Sequence, residues 1–465
     1  MEKKPLTGLA KNLYGISDFG FTFMANIENY FLMFFLTNVA KLPLAGISAA
    51  TSLAYAADSI GQPIYAGLIS ALKPMRWGKN RSYIVIYAPM VVITFVLTFS
   101  NLGPPTVALF ICGLMLFLTN MTRTFTWTSN LNLITVLSQG DADNRMVLAS
   151  RRATWTSAAG IFYSYGVLPL LRQLITMMDE AVAYTTVAAI TSIFYMLMCY
   201  VTIASTRGYE ATGADAKAEG QRSSQQVGLV DILKSAVQNP YLLVILGGAV
   251  ITSSFNTMAT SATTYYYTYI GNPSLFSLQL LLASIVTTIS SYLSAPVGKR
   301  LGAKRTVLVG YFGTVILNVL AYMVALQSTP LLIACLTIRG MFMGINRTSM
   351  VALYGDCVVY ARWKTGKDTS AFVMGSQTIP IKIGLTLRGI LVPLTLALVK
   401  FDPRIPASEA TMELKRGIVT MLVGLPAIGT FLTALVFLFF FRLTKERVAE
   451  LQKEINEREA AEVNS

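Results

Sequence analysis

Long apolar runs, separated by short polar turns, occupy almost the whole of this 465-residue chain. A helix needs about 20 consecutive, mostly apolar residues to cross the hydrocarbon core of a bilayer. The runs therefore predict an all-α membrane protein with twelve transmembrane helices. We place these helices at residues 12–40, 45–71, 82–101, 104–128, 149–171, 182–204, 240–270, 275–297, 306–326, 330–355, 369–399 and 415–441.

A polar segment at 205–239 divides the twelve runs into two groups of six. It contains GYEATGADAKAEGQRSSQQ, whose small and charged residues predict a cytoplasmic linker. The sequence thus predicts an N-terminal six-helix half at 1–204, the linker, a C-terminal six-helix half at 240–442 and a charged cytoplasmic tail helix at 443–465. A short basic turn follows the second run of each half, RWGKNRSY and GKRLGAKRTV. Paired six-helix repeats are typical of the major facilitator fold.

Composition supports a membrane protein, since 54% of residues are apolar, 13% are charged and the mean hydropathy is +0.56. The net charge is +14, but most of the 37 Lys and Arg lie at the N-terminus, in alternate loops and in the tail. This asymmetry is the positive-inside pattern and places both termini in the cytoplasm. The basic excess is therefore a topology signal and does not indicate nucleic-acid binding.

The sequence argues against catalysis. It contains no histidine, which removes the commonest general base and proton relay. We find no nucleophile motif, no metal-ligand spacing and no G-x-x-x-x-G-K-[ST] nucleotide loop. We therefore expect neither an enzyme nor a primary pump, and no cofactor beyond a coupling ion.

Several charges lie inside the apolar runs, where each is costly unless it is paired or faces a water-filled cavity. A membrane protein that keeps so many is expected to enclose a polar pathway. The charges are Asp18, Glu28, Asp58, Arg123, Arg339, Arg347, Lys382 and Arg388.

A set of motifs, in order along nearly the whole chain, resembles the glycoside–pentoside–hexuronide:cation symporters, the melibiose permease family. The motifs are YGISDFGFTFM, YFLMFFLTNV, ADSIGQPIYAGLIS, SNLNLITVLSQGDADNRMVLASRR, YYYTYIGN, GDCVVYARWKTGK and FRLTKERVAELQKEI. The resemblance implies a twelve-helix major facilitator fold in the bacterial inner membrane, in contact with lipid and by default monomeric. It also implies a sugar bound midway between the halves and cotransport with sodium, lithium or protons.

The cation site departs from the family pattern. The family's second helix carries two acids in D-x-x-[NG]-D-P, whereas this chain keeps Asp58 and has Gln62 in place of the second acid. Thr124 matches a threonine that also faces the cation. Hard cations prefer several oxygen ligands, carboxylates above all. We therefore favour a proton on Asp58, with weak sodium binding and facilitated exchange as alternatives; Asp58 could instead only pair with a basic residue such as Arg123 or Arg152.

The sugar site departs too, because two acids of the melibiose permeases correspond to Thr22 and Trp127 here. Arg347 replaces a stacking tryptophan, and Lys382 and Arg152 match basic residues of the family. A cavity with these cations suits an acidic sugar such as a hexuronide, because guanidinium groups bind carboxylates through two parallel donors. Further candidates for substrate binding are Asp18, Asn256, Tyr265 and Gln377.

Three alternatives stay open at this point. The arginines could pair with Asp18, Glu28 and Asp356 and never touch substrate. The substrate could be a neutral glycoside taken up with sodium. It could also be a lysolipid, since some relatives of this family carry such amphiphiles.

The basic turn after the second run is a candidate gating element. Arg76, Lys79 and Arg81 follow a helix C-terminus, whose partial negative charge attracts cations. In facilitator folds this turn pairs with helix ends of its own half. Asp356 is the corresponding candidate in the second half. Simple anchoring of the topology by positive charge is the alternative for the turn.

Overall fold

The computed structural model of the protein describes residues 6–71, 77–138, 141–210, 239–366 and 370–463. The helices of the first part of the chain are α1 (Gly8–Leu13), α2 (Ile16–Phe34, continued by a π-helical turn at Phe35–Val39), α3 (Leu44–Ala71), α4 (Lys79–Thr98), α5 (Pro105–Ser138), α6 (Ala142–Met177) and α7 (Glu180–Ser205).

The helices of the second part are α8 (Pro240–Tyr269), α9 (Leu275–Leu301), α10 (Ala303–Val324), α11 (Thr329–Thr365), α12 (Ser370–Gly375), α13 (Thr378–Leu398), α14 (Met412–Val419), α15 (Leu425–Phe440) and α16 (Lys445–Val463). A π-helical turn at Thr420–Gly424 joins α14 to α15. Most of the predicted linker lies outside the described residues.

Each predicted apolar run coincides with one helix or with two or three consecutive helical segments of the structure. Among the described residues, nine helical segments are long and apolar enough to cross a membrane. The other three predicted spans fall on α3, α6 and α9, and α9 contains a shorter apolar stretch at Leu275–Ser290. The number of twelve spans therefore stays a prediction.

The chain divides into two compact units, and both repeat one packing scheme. One unit comprises Met1–Gln225 with Gly389–Pro406, and the other comprises Gln226–Arg388 with Ala407–Ser465. In the first unit, α3 and α4 pack on α5, and α7 packs on α2 and α4. In the second unit, α9 and α10 pack on α11, and α15 packs on α8 and α10. Corresponding helices of the two units thus make the same pairings, as expected of an internal repeat.

The tail helix α16 docks on the end of α11, which the sequence did not indicate. Leu451 and Ile455 of α16 are buried. The indole Nε1 of Trp363 donates a hydrogen bond to Glu454 Oε2 at 2.7 Å. The guanidinium groups of Arg447 and Arg458 each lie 5.9 Å from the centre of the Trp363 ring. Tryptophan is the aromatic ring that binds cations best, so these contacts hold the charged tail against the second unit.

The contact between α9 and α11 depends on a glycine. A Cβ added at Gly344 would lie 1.9 Å from Ser290 Oγ and 2.7 Å from the Thr287 carbonyl oxygen. Small residues let membrane helices approach this closely. A Cβ added at Gly355, on the same helix, would meet no neighbouring atom within 4 Å.

We expect Gly344→Ala to lower the stability of the protein by about 1–3 kcal/mol, because the added methyl group forces α9 and α11 apart. Thermal unfolding of the purified protein in detergent measures this effect. Gly355→Ala is the matched control and should leave the melting temperature within about a degree, since open space surrounds it. Equal melting temperatures for the two variants would contradict this description of the α9–α11 contact.

Candidate functional site

The first unit brings α2 and α6 unusually close together. A Cβ added at Gly15, which directly precedes α2, would lie 2.7 Å from the Cα atom of Arg152 on α6. The absence of a side chain at this position lets the two backbones approach, and the chain then turns into α2. The side chain of Asp18, in the first turn of α2, reaches Arg152 as a result.

Asp18 and Arg152 form a bidentate ion pair. Arg152 Nε lies 2.5 Å from Asp18 Oδ2, and Arg152 Nη2 lies 2.7 Å from Asp18 Oδ1. Asn130 donates a further hydrogen bond to Asp18 Oδ2 at 3.1 Å, and the Tyr14 hydroxyl donates to the carbonyl of Asn130. The Arg152 guanidinium also lies over the Trp127 ring, 5.6 Å from its centre. Parallel donors and an aromatic face hold the guanidinium in one orientation.

A small cavity lies beside this ion pair, within the first unit; its volume of about 10 Å³ has room for about one water molecule. Its walls combine a carboxylate, an amide, hydroxyls and an aromatic face, which are groups that bind sugars. The residues that line it are Ser17, Asp18, Phe21, Ile84, Thr126, Trp127, Asn130, Tyr195 and Cys199. Two of the predicted substrate residues, Asp18 and Trp127, therefore line one cavity, and a third, Arg152, contacts both of them.

A second buried ion pair joins α2 to α5. Arg123 Nη1 lies 2.8 Å from Glu28 Oε2, and the other Glu28 oxygen accepts a hydrogen bond from Tyr55 at 2.7 Å. Arg123 also donates to Asn120 Oδ1. Asp58 is completely buried and interacts electrostatically with Arg123. The sequence did not place the Glu28 side chain on any face of its helix; the structure pairs it with Arg123 and with Tyr55, which lies one turn before the predicted coupling residue on α3.

The other predicted residues of the cation site lie nearby in sequence. Gln62 is half-buried one turn after Asp58 on α3. Thr124 follows Arg123 on α5, and its hydroxyl donates to the Asn120 carbonyl at 2.8 Å. Thr22, predicted to bind substrate, is half-buried on α2.

The predicted substrate residues of the second unit lie on several elements. Arg347 is exposed on α11, Lys382 and Asn256 are half-buried on α13 and α8, and Gln377 is half-buried just before α13. Tyr265 is fully buried on α8. Their role in binding stays a prediction.

Two further arginines of the second unit lie within its apolar helices. Arg339 donates a hydrogen bond to Asn318 Oδ1 at 2.9 Å, so it has a polar partner within its own unit. Arg388 is completely buried.

The basic turn contacts two helix ends of its own unit. Arg81, only 6% exposed, donates to the carbonyl oxygens of Trp77 at 3.1 Å and Ile203 at 3.0 Å. Glu210 accepts hydrogen bonds from the backbone N–H groups of Asn80 and Arg81 at 2.8 and 2.9 Å. A carboxylate at a helix N-terminus satisfies free N–H groups there. Sequence reasoning missed Glu210, although an acid just after the sixth apolar run was a usable signal.

Of the other gating candidates, Lys79 opens α4 and Asp356 is half-buried on α11. Arg76 lies outside the described residues. The gating role of these residues stays a prediction.

Comparisons with known proteins identify relatives. Residues 13–445 match the model of the MFS/sugar transport protein family. The glucuronide carrier protein homolog of Escherichia coli is 25% identical over 96% of this chain and 94% of its own. The isoprimeverose transporter of Lactiplantibacillus pentosus is 21% identical over 92% of this chain and 87% of its own.

A solved structure supports the fold. The nucleoside transporter NupG superposes with a TM-score of 0.66 at 14% identity, covering 94% of this chain and all of that one. The predicted fold class, a helical membrane protein with the major facilitator fold, is therefore confirmed.

We expect substitutions of Asp18 and Arg152 to have strongly non-additive effects on the free energy of unfolding. Asp18→Asn or Arg152→Gln alone leaves a buried charge without its counter-charge, which costs about 3–5 kcal/mol. The double variant removes both charges and should cost much less than the sum of the two single changes. Denaturant unfolding in detergent measures all four proteins. Additive losses would show that the ion pair is not formed.

Proposed function

The chain belongs to the MFS/sugar transport protein family and is a sugar symporter of the membrane, and we propose that its substrate is an acidic sugar, such as a hexuronide. We propose further that it lies in the inner membrane with both termini in the cytoplasm, as the distribution of Lys and Arg favours. The coupling ion in this proposal is a proton carried by Asp58.

The observation that carries the substrate proposal is the Arg152 guanidinium held between Asp18 and Trp127 at the cavity. A sugar is larger than this cavity, so the proposal requires the site to widen during transport. A sugar carboxylate matches Asp18 in charge and geometry, and in the widened site it takes the place of the Asp18 carboxylate on the guanidinium fork. The Trp127 ring then stacks on the apolar face of the sugar. Asp18, released from Arg152, accepts hydrogen bonds from sugar hydroxyls. The glucuronide carrier among the relatives is consistent with such a substrate.

A neutral glycoside is the second candidate, because Asp18 itself lines the cavity. The sequence suggested that the acidic acceptors for sugar hydroxyls were lost at Thr22 and Trp127. Asp18 supplies a carboxylate from the same helix as Thr22. In this case Arg152 stays paired with Asp18 while hydroxyl groups of the sugar donate hydrogen bonds to the carboxylate. The isoprimeverose transporter among the relatives fits this second candidate.

The proposal that Asp58 carries the coupling proton rests on its complete burial among the helices of the first unit. A proton needs one carboxylate oxygen, whereas sodium prefers several oxygen ligands. Gln62 in place of a second acid on α3 also favours the proton. Membrane-buried acids in transporters are typical proton carriers.

We expect Arg152→Lys to reduce uptake of a hexuronide by at least about tenfold, because lysine keeps the charge but lacks the two-donor fork. Uptake of radiolabelled methyl glucuronide and methyl galactoside into proteoliposomes measures this. Arg151→Lys changes the exposed neighbour of Arg152 and is the matched control, with uptake unchanged. Galactoside uptake by the unaltered protein without glucuronide uptake would contradict the acidic-sugar proposal and favour the second candidate.

We expect Asp58→Asn to abolish accumulation driven by a pH gradient while exchange of internal for external sugar continues. An amide cannot carry the proton, but it preserves the shape of the carboxylate. Counterflow and gradient-driven uptake in the same proteoliposomes separate the two activities. Gradient-driven accumulation that survives the substitution would rule out Asp58 as the proton carrier.

A further inference from the structure

The buried ion pair of Arg123 and Glu28 lies next to the proposed coupling carboxylate, and neither residue is part of the proposed coupling step so far. We propose that Arg123 determines the ion selectivity of this transporter: it places a permanent positive charge beside Asp58, which admits a proton and excludes sodium. The inference rests on the proposed role of Asp58.

Arg123 is fixed in place from three sides. Glu28 Oε2 accepts from Nη1 at 2.8 Å, and Asn120 Oδ1 accepts from Nη2. The guanidinium also lies over the Phe21 ring, 5.3 Å from its centre. Arg123 is only 8% exposed. Moving this charge away from Asp58 would break all of these contacts in a water-poor environment, so the positive charge is a constant feature of the site.

Glu28 is fixed to the same helix that carries Asp58. Its Oε1 accepts a hydrogen bond from the Tyr55 hydroxyl at 2.7 Å. Tyr55 and Asp58 are three residues apart on α3 and therefore share one face of the helix. The contact holds the Glu28–Arg123 pair against the face of α3 on which Asp58 lies. Glu28 thus positions Arg123, and Arg123 acts on Asp58.

Two tyrosines among the described residues also interact with the cluster. Tyr65 on α3 interacts with Asp58, and Tyr195 on α7 interacts with Arg123. Tyrosine side chains are neutral at physiological pH, since their usual pKa is near 10. Asp58, Glu28 and Arg123 together carry one net negative charge when Asp58 is ionised.

This arrangement discriminates between the two ions on physical grounds. Sodium needs several oxygen ligands around it. Arg123 already donates hydrogen bonds to two nearby oxygens, Glu28 Oε2 and Asn120 Oδ1. The Arg123 guanidinium therefore engages oxygens that a sodium ion at Asp58 would need as additional ligands. The guanidinium repels a proton and a sodium ion alike, because each adds one positive charge to a poorly screened site. A proton forms a covalent bond to a single Asp58 oxygen and tolerates this repulsion, whereas sodium is held only by attraction to several oxygens and does not.

Replacing Arg123 by a neutral residue should let sodium bind. The double variant Glu28→Gln with Arg123→Gln is the main test, because it removes both charges of the pair and leaves no unpaired buried glutamate. We measure thermal unfolding of the purified protein in NaCl against choline chloride at equal ionic strength, together with binding of radiolabelled sodium. These readouts need no sugar substrate.

The unaltered protein and Arg123→Lys should show no difference between the two salts, because both keep the positive charge. The double variant, and Arg123→Gln where it folds, should unfold a few degrees higher in sodium, as expected when the ion is near about 100 times its Kd. Arg339→Gln, which alters an arginine of the second unit, is the matched control and should show no sodium effect.

Absence of a sodium effect in the double variant would overturn the inference, and so would a sodium effect in Arg123→Lys or Arg339→Gln. Adding Asp58→Asn to the double variant should abolish sodium binding, and binding that persists would also overturn it. The proposed coupling role of Asp58 is tested separately. Accumulation driven by a pH gradient that survives in the single Asp58→Asn variant would contradict that role without contradicting the present inference.

Discussion

The pairing of buried charges within one unit is the constraint on which the rest of this structure depends. Arginine and carboxylate side chains in membrane-spanning helices are tolerated only with partners, and α2 supplies carboxylates to two arginines, at Asp18 and Glu28. Because their partners are on α6 and α5, these ion pairs fix α2 against two neighbours. The close approach at Gly15 makes one of them possible. The two ion pairs therefore both hold α2 in place and supply the charged groups of the candidate site.

The two ion pairs have different surroundings, and this difference assigns them different tasks. Asp18 and Arg152 border a cavity with the Trp127 ring, so a substrate can compete for either charge. Glu28 and Arg123 contact Tyr55, Asn120 and Phe21. In our proposals, the first pair exchanges partners during transport, and the second stays intact and acts on Asp58.

The sequence predicted the helices and the repeat well, because apolar runs and basic turns are local signals. It also identified Asp18, Arg152 and Trp127 as candidates. It could not tell that Asp18 pairs with Arg152, since the partners are far apart in sequence and each had several possible counter-charges. Glu28 was left unassigned for the same reason, and the docking of α16 on Trp363 depends on tertiary contacts that a charged helix pattern does not reveal.

The most direct test of the account is the net charge moved per sugar, recorded electrically on proteoliposomes while uptake of radiolabelled methyl glucuronide is measured in parallel. If one proton on Asp58 accompanies one acidic sugar, uptake driven by a pH gradient proceeds without net current and does not depend on sodium. Uptake that requires sodium, or that moves net charge, would contradict proton coupling at Asp58 and the exclusion of sodium by Arg123, and a failure to take up methyl glucuronide would contradict the acidic-sugar site at Arg152.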